Sequence, residues 1–89
     1  MIEAEKIPDL LKKFNMKAIL ELRRGNFQQA LHIFQKSLEF EEKLDLEEQA
    51  AQTLINIANT CYLLKKYEKA IIYLKKARAF FEKKGGQQE

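Results

Sequence analysis

The sequence predicts an all-α protein of two antiparallel helical hairpins, four helices in all, stacked as a short solenoid. Apolar residues recur every three or four positions along four stretches, which short polar links separate. The second and fourth stretches are near copies, with Ala30 and Ala70 at the same place in each, so the chain repeats with a period of 40 residues. Such a period is typical of stacked helical repeats. One proline and three glycines leave little room for a turn-rich β fold.

The first hairpin is predicted over about residues 11–44. Its first helix begins at Pro8 and Asp9, because proline suits the first turn and an acidic residue favours the helix dipole there. Gly25 ends this helix, and the second helix runs from Phe27 to about Lys43. The apolar side of the first helix contains Ile7, Leu11, Phe14, Ala18 and Leu22, and that of the second contains Phe27, Ala30, Leu31, Phe34 and Leu38.

The second hairpin is predicted over about residues 51–84. Its first helix runs from about Glu47 to Leu64, with Asp45 as the candidate cap, and is apolar over more than half its circumference, so it should be the most buried. The last helix runs from Tyr67 to about Lys83, and its main apolar side contains Ala70, Ile71, Leu74, Ala77 and Phe81. We therefore predict that residues 1–84 form a single domain and that residues 85–89 form a flexible tail.

Composition excludes several classes of protein. No segment approaches the roughly 18 apolar residues of a membrane span, and the N-terminus lacks the apolar core of a signal peptide. The lone Cys61 cannot form an internal disulfide. These observations predict a soluble, cytoplasmic protein. The net charge of +3 is uneven, with an acidic middle and a basic fourth helix, which we interpret as solvated helix faces, with a functional basic strip as the alternative.

No catalytic, metal or cofactor site is predicted. His32 is the only histidine, and no second ligand stands at metal-binding spacing, so it is predicted to face solvent. Cys61 lies on an apolar side without a histidine partner, which predicts a packed thiol rather than a nucleophile. Glu41 and Glu42 are interpreted as solvated charges. The sequence thus predicts a protein that is not an enzyme.

The two units resemble the tetratricopeptide (TPR) repeat. That signature has an aromatic residue, a Leu-Gly pair and a tyrosine on the first helix, and an alanine and an aromatic residue on the second. The second unit has Leu54, Ile57, Ala58, Cys61, Ala70 and Leu74 at matching places, and the first has Phe14, Ala18, Gly25, Phe27, Ala30, Phe34 and Ser37. The first unit departs at Lys17 and Glu21, which are spaced for an i,i+4 ion pair. The 40-residue period exceeds the usual length of about 34 and resembles the longer-repeat branch of the family, common in regulators and scaffolds.

The resemblance implies a non-catalytic protein-protein interaction module, an adaptor or scaffold. It would bind a peptide or a partner helix in a concave groove lined by the first helix of each hairpin. By position, the groove contains Lys12, Asn15, Ile19, Leu22, Arg23, Gln52, Ile55, Asn56, Asn59, Tyr62 and Leu63. Much of this lining is apolar, which favours an apolar helix over a charged tail. The asparagines either bind peptide backbone or form hydrogen bonds between helices.

Two further hypotheses stay open. In the first, the chain is an oligomerisation module, and Tyr73 and Phe80 pack on the preceding hairpin, on a second subunit or on a ligand. Because these two would be exposed in a lone chain, they form with Ile72 and Phe81 the predicted self-interface of a homodimer through the fourth helix. In the second, the basic fourth helix binds nucleic acid, which the small net charge disfavours.

Overall fold

The computed structural model describes the backbone of residues 6–86 and the side chains of residues 6–83. It contains four helices, α1 (Ile7–Arg23), α2 (Phe27–Lys43), α3 (Glu47–Leu63) and α4 (Tyr67–Gly86). Links of three residues return each helix alongside the previous one, so α1 packs on α2, α2 on α3 and α3 on α4. The predicted all-α fold of two stacked hairpins is confirmed.

All three links use the same backbone device, a left-handed residue that ends the helix. Gly25, Asp45 and Lys65 have φ angles of 84°, 57° and 63°. In each link the next N–H donates to a carbonyl five residues earlier, which is the Schellman pattern. These bonds are Asn26 to Glu21 at 2.8 Å, Leu46 to Glu41 at 2.9 Å and Lys66 to Cys61 at 2.8 Å. The left-handed residues stand twenty positions apart, so every helix and its link span the same length of chain.

The prediction that Asp45 caps α3 is wrong. Asp45 belongs to the end of α2, where its left-handed backbone satisfies carbonyls of that helix. The residue at the N-cap of α3 is Leu46, and no side chain forms a capping hydrogen bond there. Aspartate tolerates the left-handed region better than most residues, which explains its presence at this turn.

Small residues are buried at the helix contacts, as predicted. Ala18, Ala30, Ala58 and Ala70 are all at most 5% exposed, which allows the paired helices to approach closely. The hydrophobic core also contains Phe34, Leu54, Ile57 and Cys61. α3 contributes the largest set of buried residues, which confirms the prediction for this helix: Ala50, Ala51, Thr53, Leu54, Ile57, Ala58, Thr60 and Cys61.

Glu21 is buried and closes the first hairpin, but not with the predicted partner. Its carboxylate accepts hydrogen bonds from Asn26 Nδ2 at 2.8 Å and Arg24 at 3.0 Å. The Asn26 bond, aided by Arg24, holds the pKa of Glu21 below its usual value. Lys17 adds only a weaker attraction, because Arg24 and Asn26 occupy both carboxylate oxygens.

The fourth helix differs from the prediction in length and in the side that it buries. It continues to Gly86, so Gly85 and Gly86 are helical, while residues 87–89 of the predicted tail and residues 1–5 lie outside the described residues. Tyr73 and Phe80, predicted to be exposed in a lone chain, are half-buried. Tyr73 packs against the core, and Phe80 lines a cavity formed with α3 and the end of α2.

Candidate protein-binding surfaces

The predicted groove residues of α3 lie on the side of the helix that faces away from its buried half. Gln52, Asn59, Tyr62 and Leu63 are exposed, Tyr62 by 64% and Leu63 by 47%. Their spacing of three, four and seven residues keeps them on one face, opposite the residues that pack on α2 and α4. Four of the six predicted α3 positions are therefore free to contact a partner.

Ile55 and Asn56 complete the α3 set but are half-buried. The Ile55 side chain packs against the hydrophobic core. The backbone carbonyl of Asn56 accepts a hydrogen bond from the Thr60 hydroxyl at 2.8 Å. These two residues support the exposed face rather than project from it.

On α1 the predicted residues divide in the same way. Lys12, Ile19 and Arg23 are exposed, whereas Leu22 packs against the core. Met16 was not among the predicted groove residues, but it is 64% exposed and stands one helical turn after Lys12. Helical spacing would have placed Met16 on this face, but the resemblance to the family did not point to it.

Asn15 joins the helices together. Its Nδ2 donates to Thr53 Oγ1 of α3 at 3.1 Å and to Glu41 Oε2 of α2 at 3.5 Å. Of the two alternatives for this asparagine, a hydrogen bond between helices is therefore the one observed. Gln49 Nε2 also lies 3.5 Å from the carbonyl oxygen of Pro8, so the N-terminal halves of α1 and α3 adjoin.

Glu41 is enclosed at the junction of α1, α2 and α3. It is 1% exposed, so its interpretation as a solvated charge is wrong, although that for the exposed Glu42 holds. Burial raises the pKa of the Glu41 carboxyl. Hydrogen bonds from Thr53 and Asn15 favour the carboxylate and offset only part of this rise. Among the described residues, Glu41 Oε1 and Asn15 Oδ1 are buried without a hydrogen-bond partner. The position of Glu41 between helices was decided by packing, which no local pattern encodes.

A second apolar surface runs along α4. We call it the α4 stripe: Tyr67, Ile71, Leu74, Arg78 and Phe81. Its four apolar members are about half exposed, and three of them, Ile71, Leu74 and Phe81, belong to the predicted main apolar side of this helix. The Tyr62 and Tyr67 rings meet edge to face with centroids 5.4 Å apart, so the stripe begins beside the exposed face of α3.

Of the four residues predicted as a self-interface, Ile72 is also half exposed but stands on a different side of α4 from the stripe. Phe81 belongs to the stripe and touches Phe80 edge to face at 5.3 Å. Tyr73 and Phe80 face inward. The four predicted residues therefore do not share one surface.

Two cavities are lined by residues that belong to neither surface. One of about 290 Å³ lies where α2 ends and α3 begins, with Phe80 in its wall. The other, of about 170 Å³, lies between α1 and α2 and is lined mainly by Leu11, Phe14, Ile33 and Phe40. Neither contains a predicted groove residue.

The remaining reactive side chains are where the sequence predicts them. Cys61 is buried, and burial raises the pKa of its thiol, so it packs as an apolar side chain. His32 is exposed. Within residues 6–83 no cluster of three metal-binding side chains occurs.

The amino-acid sequence of both hairpins matches a known protein family. The tetratricopeptide repeat family matches residues 9–83, which span both hairpins. The chain belongs to the tetratricopeptide repeat family. Proteins of this family generally mediate protein-protein interactions and are typically not catalytic. No curated protein and no solved structure matches the chain. In the described part of the chain, no helix has the length and apolar character needed to cross a membrane.

Proposed function

We propose that this chain is an adaptor or scaffold that binds a peptide or partner helix against the exposed faces of α1 and α3. The observation that carries the proposal is the exposure of Met16, Ile19, Tyr62 and Leu63, large apolar residues on the faces that the family resemblance assigns to the groove. Exposed apolar patches with a polar rim mark interaction sites in monomeric proteins.

Polar and basic side chains border the exposed apolar residues of the proposed groove. Lys12 and Arg23 border the apolar residues on α1, and Gln52 and Asn59 border them on α3. No acidic residue belongs to the predicted groove set. An amphipathic helix with a short apolar face and acidic or neutral flanks fits such a lining best.

A double substitution of Tyr62 and Leu63 by alanine tests the groove. Both side chains are exposed, so helicity by circular dichroism should stay close to that of the parent. Proteins retained by the immobilised parent chain should be lost from the variant, since apolar anchors dominate the energy of such contacts.

Phe40→Ala is the matched control, because Phe40 is 54% exposed on α2, a helix that contributes no residue to the proposed groove. It should retain the same proteins as the parent. Equal loss from the control and the double variant, or equal retention by both, would contradict binding at this face.

Self-association is the alternative function, and the exposed apolar residues of α4 are the surface that it would use. Sedimentation equilibrium at micromolar concentration separates the two, since a homodimer gives twice the chain mass. Nucleic-acid binding through the basic α4 also stays a hypothesis, which a steep loss of affinity with salt would support. A cytoplasmic location stays a prediction.

A further inference from the structure

The α4 stripe repeats, position by position, a surface that α2 uses inside the molecule. A shift of 40 residues along the chain maps Ile71 onto Leu31, Leu74 onto Phe34, Arg78 onto Leu38 and Phe81 onto Glu41. The four α2 residues are buried, whereas Ile71, Leu74 and Phe81 are about half exposed, and the Arg78 side chain is 73% exposed.

The difference has one structural cause, which is the presence of a following helix. Ala30 and Ala70, and likewise Ser37 and Ala77, are buried in both hairpins, because the preceding helix covers this side in each. The stripe positions are buried only in α2, on which α3 packs. The α4 stripe therefore occupies the positions of a helix-docking surface, with Arg78 in place of Leu38 and Phe81 in place of Glu41, and the occupant of the first such surface is α3.

Four buried residues of α3 share one side of that helix by their spacing, and one of them, Thr53, forms a hydrogen bond with Glu41 of α2, so we assign this side to the contact: Ala50, Thr53, Ile57 and Thr60. The corresponding positions of α1 are Leu10, Lys13, Lys17 and Leu20. Lys13 and Lys17 are exposed. If a second copy docked its α1 on the stripe, these lysines would lie against apolar side chains and Arg78, which costs desolvation and repulsion.

A symmetric pairing of two α4 helices is disfavoured for a similar reason. Between Tyr67 and Lys83 the helix has five basic and two acidic side chains, and one of the acidic ones, Glu82, already pairs with Arg78 at 3.3 Å. Two such helices would bring like charges together. The apolar part of the stripe also offers only on the order of 400 Å² per copy, about half of what each partner buries in a standard interface.

We propose that the α4 stripe is a docking site for a single amphipathic helix of another protein, with a narrow apolar face flanked by acidic residues. This helix takes the position on α4 that α3 takes on α2. Its acidic flanks lie near Arg78 and Lys75, and its apolar face covers Ile71, Leu74 and Phe81. The docking residues Ile71, Leu74 and Phe81 are not groove residues, although Tyr67 at the start of the stripe touches Tyr62 of the groove, so the two sites are tested by different substitutions.

The test uses two stapled helical peptides of about 18 residues, long enough to present four or five turns. Both have the Ala-Thr-Ile-Thr face of α3, and they differ only in having glutamate or lysine at the flanking positions. Each is titrated into the isotope-labelled chain and followed through the backbone amide signals. The acidic peptide should shift the amides of residues 67–81 and bind at least about tenfold more tightly than the basic one, with weaker binding as salt rises.

Two neighbouring isoleucines supply matched variants. Ile71 in the stripe is 52% exposed, and Ile72 outside it is 53% exposed, so replacement by glutamate adds the same charge to equally exposed positions of one helix. Ile71→Glu should weaken the acidic peptide at least about tenfold and Ile72→Glu less than about twofold. Both variants should keep the helicity of the parent.

Three results would overturn the proposal. The first is equal weakening by the two isoleucine variants. The second is equal affinity for the acidic and the basic peptide. The third is a parent chain that sediments as a dimer which Ile71→Glu, but not Ile72→Glu, dissociates, since the occupant would then be a second copy. The groove is tested independently. In a chain that carries Tyr62→Ala and Leu63→Ala, Ile71→Glu should still weaken binding of the acidic peptide more than Ile72→Glu does.

Discussion

Glu41 shows how one residue can oppose the stability of the fold that encloses it. Its carboxyl is buried at the contact of three helices and accepts hydrogen bonds from Asn15 and Thr53, but no cation among the described residues pairs with it. A carboxylate in this position loses water and regains only part of that free energy. Burial therefore favours the neutral form of Glu41 more than water does, and the pKa of this carboxyl lies above its usual value.

Replacing Glu41 by glutamine should raise the free energy of unfolding at pH 7 by on the order of 1 kcal/mol. Burial raises the pKa of Glu41 in the folded state, so the folded chain binds this proton more tightly than the unfolded chain. The stability that this group lends is present below the unfolded pKa near 4.5 and is lost as pH rises through the folded pKa. The free energy of unfolding of the Glu41→Gln variant should not show this decrease with rising pH.

Urea unfolding between pH 4 and pH 8 measures the effect of Glu41→Gln. Glu39→Gln is the control, because Glu39 is exposed and pairs only with the exposed Lys36 and Lys43. It should change stability little at any pH. A Glu41→Gln protein less stable than the parent at pH 7 would show that the carboxylate is the favoured form.

At the scale of the element, the three links reveal how the same turn is made by different residues. The Schellman geometry requires a left-handed residue, which glycine adopts freely and a β-carbon makes costly. Gly25 satisfies this requirement in the first link, whereas Lys65 adopts it under strain in the third. The hydrogen bonds of the two links are nearly the same in length.

Exchanging these residue types should move stability in opposite directions. Lys65→Gly should stabilise the chain by about 0.5–1 kcal/mol, because it relieves backbone strain. Gly25→Ala should destabilise it by about 1 kcal/mol through strain alone, since a β-carbon at Gly25 meets no atom within 4 Å. Thermal unfolding followed by circular dichroism measures both. A neutral Gly25→Ala would show that this turn tolerates a side chain.

On the scale of the whole molecule, burial is distributed unevenly over the four helices. α3 is packed between α2 and α4, whereas α4 has a neighbour on one side only and leaves its stripe open. The α1 helix faces outward with Lys13 and Lys17 at the positions where α3 has buried Thr53 and Ile57. The outward side of α1 therefore contains two exposed lysines, whereas the stripe of α4 is apolar except for Arg78.

Hydrogen exchange should follow this distribution. Backbone amides of residues 51–61 in α3 should exchange at least about tenfold more slowly than those of residues 72–82 in α4, because opening α3 disrupts two helix contacts and opening α4 only one. Amide exchange followed by NMR or mass spectrometry measures both segments in one sample. Faster exchange in α3 than in α4 would contradict the proposed order of local stability.

The sequence by itself determined the helices and their pairing. Apolar spacing and the 40-residue repeat predicted the starts of α2, α3 and α4 at Phe27, Glu47 and Tyr67, and the buried alanines at the helix contacts. These features depend on the spacing of apolar residues and on small residues where neighbouring helices approach closely. Both can be seen directly in the amino-acid sequence. The same repeat led to the family that the chain belongs to.

The tertiary structure alone decided which apolar residues are covered. Phe34 and Leu74 occupy equivalent places in the two hairpins, yet Phe34 is buried and Leu74 is 46% exposed, because α3 packs on α2 and none of the described helices packs on that side of α4. Packing between helices also decided that Glu41 is buried and that Tyr73 packs against the core. A helical pattern states which residues share a face, but burial depends on which other helix lies against that face, and that is settled only when the helices pack together.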